Sequence, residues 1–113
     1  MHMKLLVLCA KFIQMKIASL TQNIQHTEEN RPNIKMLLDT ETGKEIRIAF
    51  KTKQVMKEHQ TPFPIVVEIF EGSIEFGVNG KTHLLKKGDL VALEGNVPHD
   101  LKALENSIVR LSI

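Results

Sequence analysis

The run Ile74-Glu75-Phe76-Gly77-Val78-Asn79-Gly80-Lys81-Thr82-His83-Leu84-Leu85 decides how this chain is read. Ile74, Phe76 and Val78 alternate with Glu75 and Gly77, the period of a strand with one buried face. Asn79-Gly80 follows directly. Both central positions of a type I′ turn need φ > 0, and Asn-Gly adopts it at least cost. The segment therefore predicts a β-hairpin whose return strand is residues 81–85.

The same grammar continues on both sides. Upstream, residues 65–70 are a β-branched run that ends in the turn or bulge Glu71-Gly72-Ser73. Pro62-Phe63-Pro64 breaks the sheet before it, because proline has no N–H to give a ladder. Residues 55–59 form another strand. Residues 45–50 set Ile46, Ile48 and Phe50 against Glu45, Arg47 and Ala49, again a half-buried alternation. Residues 39–43 are a turn, and residues 34–38 a short apolar strand. Downstream, Lys87-Gly88-Asp89 turns into a strand at 90–93. A loop at 95–98 leads to strands at 99–103 and 107–113. Short strands joined by short turns, with little helical period, predict an all-β barrel or sandwich of mainly antiparallel neighbours. The one exception expected is the polar stretch 21–33, read as a short helix or loop leading into the domain.

The chain has 113 residues, enough for one domain with a real core. It holds no Trp or Tyr and five Phe, so that core must be built from Ile, Leu and Val. The formal net charge is +2, and no basic tract interleaves with aromatics. This excludes the usual electrostatic and stacking routes to nucleic acid. A lone cysteine, Cys9, allows neither an internal disulfide nor a cysteine zinc site. Lying between Leu8 and Ala10, it is expected to be buried and inert. Residues 5–10 are apolar, but the run is too short for a signal peptide or a membrane span. A cytoplasmic protein with no membrane partner is expected. Residues 1–14 read as an arm or edge strand, with Met15 as an alternative natural start. The division expected is an N-terminal arm over 1–33 and a barrel over 34–113.

Residues 45–113 resemble the cupin superfamily, in the form of a small single-domain RmlC-like cupin. Gly88, Pro98 and His99 stand as the glycine, proline and histidine of the family's second motif, and Lys87-Gly88-Asp89 and Val97-Pro98-His99 are typical of members. In the first motif, Lys53 stands at the opening glycine and His59 at the first histidine. Thr61 stands at the second histidine, Ile65 or Val66 at the glutamate, and Gly72 at the closing glycine. The resemblance implies a double-stranded β-helix, the cupin jelly-roll barrel, with a short N-terminal extension. It also implies a pocket whose candidate metal ligands are His59 and His99, lined by Thr61, Ile65 and Val67. A divalent transition metal (Fe, Mn, Ni, Cu or Zn) is the implied cofactor, since imidazole and carboxylate ligands suit such ions. Thr61 is a poor ligand and Ile65 none. Glu58 and Gln60 point away from His59 on a regular strand, and Glu68 would reach the pocket only if a bulge near Pro62 shifted its parity.

The alternative is that His59 and His99 are hydrogen-bonded barrel residues in a pocket without metal. No role is expected for His2, His26 or His83. A triad of Ser107, His99 and Asp100 is discounted, because Asp100 would face away from its neighbour. The leading functional expectation is a cupin that binds a small molecule, with or without a weakly held metal. The alternative is a metal-dependent enzyme of dioxygenase-like or isomerase-like type, with catalytic residues unassigned. A third reading is a structural or regulatory partner that works as a dimer. A homodimer is expected because the apolar segment 5–13 has no place inside a minimal barrel.

Overall fold

A computed structural model describes residues 15–113 of the chain. The expectations placed on residues 1–14, among them an inert Cys9 and an apolar dimer segment at 5–13, lie outside the described residues. From residue 33 onward the fold is nine strands: β1 (Asn33–Thr40), β2 (Gly43–Phe50), β3 (Val55–His59), β4 (Ile65–Glu71), β5 (Ser73–Val78), β6 (Lys81–Lys86), β7 (Leu90–Leu93), β8 (His99–Ala103) and β9 (Ser107–Ser112). They form two antiparallel sheets, ordered β1-β2-β9-β4-β7 and β3-β8-β5-β6. No helix of the described residues is long and apolar enough to cross a membrane.

The β5–β6 hairpin turns as its sequence requires, with Asn79 at φ 53° and Gly80 at φ 73°. Ile74, Phe76, Leu101 and Ala103 project from one sheet, and Ile48, Phe50, Ile65, Val67, Ile69 and Val109 from the other, into a single core that is mainly aliphatic but also holds two phenylalanines. Lys44 exchanges both backbone hydrogen bonds with Ile113 at 3.0 Å, so the last residue is tied to the start of β2.

Residues 21–33, read as a short helix or loop, contain no helix and take the loop. Ser19 Oγ instead accepts from the Thr21 and Gln22 amides at 3.1 Å, and Asn23 takes φ 55°. These bonds hold a tight bend rather than a helical turn. One local expectation, on β2, needs correction. Arg47 and Ala49, read as solvent-facing, are buried along with Ile48 and Phe50. The segment at residues 19–23 folds across the outside of the sheet, and three of its carbonyls accept from the Arg47 guanidinium.

Candidate functional site at the open end of the barrel

The site begins with an irregularity in β3. Met56 pairs with Leu101 of β8, and His59 pairs with His99, so two residues of β3 lie between pairs that one residue of β8 separates. This bulge turns His59 onto the face that Met56 already occupies. On a regular strand, residues three apart would face opposite ways. The two imidazoles consequently meet inside the barrel, with ring centroids 4.3 Å apart and planes at 62°. Phe76 of β5 stacks on His99 at 5.7 Å and nearly parallel. His99 is buried, whereas His59 is half-buried.

Both rings are anchored alike. His59 Nδ1 lies 2.8 Å from the Lys57 carbonyl, and His99 Nδ1 lies 2.9 Å from the Val97 carbonyl. A carbonyl only accepts, so each Nδ1 carries the proton of the neutral ring. Each Nε2 is then left with a lone pair. The pair thus offers two imidazole acceptors held in place by main chain, the arrangement that elsewhere orients metal-bound or ligand-bound histidines.

Beyond His59 the barrel opens. A cavity of about 570 Å³ lies between β1 and β3, lined by Pro32, Ile34, Val55, Met56, Lys57 and His59. Glu29 and Arg31 also border it, joined by an exposed ion pair of 2.9 Å. The Glu29 carboxyl is held below its usual range by the hydrogen bond from Arg31 and by that residue's charge. The size and mainly aliphatic walls suit a drug-sized organic molecule, with polar groups at the rim to orient it.

The other residues singled out from sequence fall elsewhere. Ile65 and Val67 share the inner face of β4 and are built into the core. Ile65 also borders a second cavity of about 570 Å³, with Pro64, Val66, Leu93 and Ile113. Thr61 sits in the loop between β3 and β4. Its hydroxyl donates to the Phe63 carbonyl at 3.0 Å, and its own carbonyl accepts from the Asn96 amide. Glu68 faces outward, 3.7 Å from Arg110. Ser107 Oγ donates to the Glu105 carbonyl at 2.8 Å and accepts from the Ser73 amide, which makes it a strand latch and not a nucleophile. His83 is exposed on β6. The cavity residues Pro32 and Ile34 went unremarked as site residues. They precede the matched motifs and reach the site only because β1 lies along the open end.

The donor set limits any metal. Among the described residues, no three His, Cys, Asp or Glu side chains converge as a metal centre. Two imidazoles fall short of the three protein ligands that typical catalytic sites supply.

Known proteins place this geometry in a family. Residues 43–111 match the family model of the AraC-like ligand binding domain. The solved structures similar to this chain include an RmlC-like cupin protein from Desulfovibrio desulfuricans. It is 20% identical with a TM-score of 0.79, over 88% of this chain and 95% of that one. A Klebsiella pneumoniae protein with a double-stranded β-helix domain is 18% identical with a TM-score of 0.77, over 88% and 89%. An RmlC-like cupin from Shewanella frigidimarina is 17% identical with a TM-score of 0.72, over 87% and 89%. Comparison with curated proteins gives no match. The likenesses carry the fold, and the family match covers most of the barrel: the chain belongs to the cupin superfamily, within its AraC-like ligand binding domain family.

Proposed function

We propose that this protein binds a small, partly apolar organic molecule at the open end of its barrel, with His59 and His99 as the polar groups that orient it. The observation that carries this reading is the pair of facing imidazoles, both fixed through Nδ1, of which His59 lines a cavity of about 570 Å³ and His99 packs behind it. Each Nε2 accepts a hydrogen bond from a hydroxyl or amide of the ligand. Pro32, Ile34, Val55 and Met56 cover its apolar body. Burial of a few such contacts, at about 25 cal/mol per Å² of apolar surface, supports micromolar affinity once the cost of immobilising the ligand is met.

A second reading is a divalent metal held weakly by the two Nε2 atoms. The carbonyl anchors on both Nδ1 atoms favour it, because ligating histidines are usually oriented in this way. The donor count argues against tight binding, so such an ion would need oxygen atoms from the bound molecule to complete its shell. Titration with Ni²⁺ or Zn²⁺, alone and with fragment hits present, separates the two readings. Binding of organic fragments that is unchanged by chelator supports the first. Binding that requires the metal supports the second.

A further inference from the structure

Arg47 presents an unbalanced charge on the outer face of the five-stranded sheet. It is 1% exposed, yet it makes no ion pair among the described residues. Its partners are main-chain carbonyls. Nη1 donates to Ser19 at 3.2 Å and to Gln22 at 2.8 Å, and Nη2 donates to Asn23 at 3.4 Å, the longest of the three. Nε is buried and has no partner. The strand register sets Lys35 beside it on β1 and Arg110 on β9. Arg110 is balanced by Glu45 at 2.8 Å, whereas Lys35 and Arg47 are paired with no carboxylate among the described residues. Residues 1–14 contain no Asp or Glu that could supply one.

Burying a guanidinium without a counter-charge is costly, and an unused buried N–H adds to that cost. The loosely held and unused donors, Nη2 and Nε, are the side-on edge of the group. That edge matches a planar carboxylate with two parallel hydrogen bonds, and it also fits two oxygens of a phosphate. Arg47 lines a cavity of about 380 Å³ together with Ser19, Gln22, Asn23 and Lys35.

We infer that Arg47 and Lys35 form a second binding site, outside the barrel, for the oxyanion group of a small molecule. The anion takes the Nε–Nη2 edge and displaces the long contact to Asn23. Nη1 keeps its carbonyls on Ser19 and Gln22, so the segment at residues 19–23 remains as the wall of the site. Lys35 adds a second, exposed charge at the opening.

The test is a titration with sodium acetate and, separately, with inorganic phosphate. Ionic strength is held constant with chloride, and amide NMR signals are followed. Saturable shifts at residues 19–23, Lys35 and Arg47 are expected at millimolar anion. Acetate binding more tightly than phosphate marks a carboxylate ligand, and the reverse order marks a phosphate one. Arg47→Lys, which keeps the charge but loses the fork, is expected to weaken the preferred anion by about tenfold. Lys35→Gln changes an exposed side chain, leaves the fold in place, and is expected to weaken it by about threefold. His59→Ala should leave anion affinity unchanged, which separates this site from the barrel cavity. The inference is overturned if neither anion gives saturable shifts at these residues, or if Lys35→Gln leaves the affinity of the wild-type protein intact.

Discussion

Lys53 stands where the cupin pattern opens on glycine, and its backbone shows why: φ is 75°, in the left-handed region. Its amide donates to the Ala103 carbonyl at 2.8 Å, so the strained geometry is fixed by the neighbouring strand. A residue with a Cβ costs about 1 kcal/mol in that conformation relative to glycine. Lys53→Gly is therefore expected to raise stability by up to about 1 kcal/mol in urea unfolding. A loss of stability would show that the lysine side chain contributes more than the strain it causes. The two histidines should divide differently. His99 is 3% exposed and stacked on Phe76, so His99→Ala is expected to cost about 2 kcal/mol through the hole it leaves. His59 is only half-buried, and His59→Ala should cost under about 1 kcal/mol while still weakening ligand binding. Their pairing was legible from the motif spacing. The two Nδ1 anchors were not, because each depends on the path of the main chain two residues earlier.

The five-stranded sheet is laced across its outer face by Arg110 of β9, which reaches Glu45 of β2 at 2.8 Å and Glu68 of β4 at 3.7 Å. Burial alone would raise the Glu45 carboxyl. The hydrogen bonds from Ser112 and Arg110, with the Arg110 charge, outweigh it and hold the group below its ordinary range. A depressed carboxyl stabilises the fold above its unfolded value, about 4.3, and that stabilisation is lost as pH falls through the lower folded value. Glu45→Gln is expected to flatten the acid side of a stability–pH curve measured by urea unfolding. The effect at neutral pH should stay within about 1 kcal/mol, since both side chains are partly solvated. An unchanged acid limb would mean that other carboxylates govern it. The β4–β5 bend carries a sharper constraint. Gly72 has φ 89°, and a Cβ there would press on the Ser107 side chain and come within 2.6 Å of the Asn106 carbonyl. Gly72→Ala should cost about 2 kcal/mol or more, read as a lower melting temperature. The strands themselves were readable, since alternation reports directly on which face is buried. The second buried face of β2 was not readable. It is covered by residues 19–23, more than twenty positions away, and no local pattern records that contact. Residues 21–33 take the loop that was one of the two alternatives read for them.

The barrel is open between β1 and β3, each an end strand of its own sheet. Ile34 of β1 borders this opening, and Ile34 and Met36 remain 57% and 49% exposed. Apolar side chains on an unpaired edge strand favour association with another chain. A homodimer is the expected state, and light scattering should find it at micromolar concentration. Met36→Lys is expected to shift it toward monomer. A wild-type monomer at high micromolar concentration would refute the expectation. Fold family follows from strand pattern and the second motif, whereas one wall of the cavity, Glu29 to Pro32 with Ile34 of β1, lies before the matched motifs and faces the β3 wall that ends in His59. The ligand's class is therefore written in the walls and not in the motif. The most direct test of the account is a fragment screen by NMR that follows the imidazole signals of His59 and His99 together with the amides of Val55–His59. The account predicts a set of small, partly apolar hits that shift both rings and lose most of their affinity in His59→Ala. Hits that bind at other surfaces, or that bind His59→Ala as tightly as the wild-type protein, would contradict it.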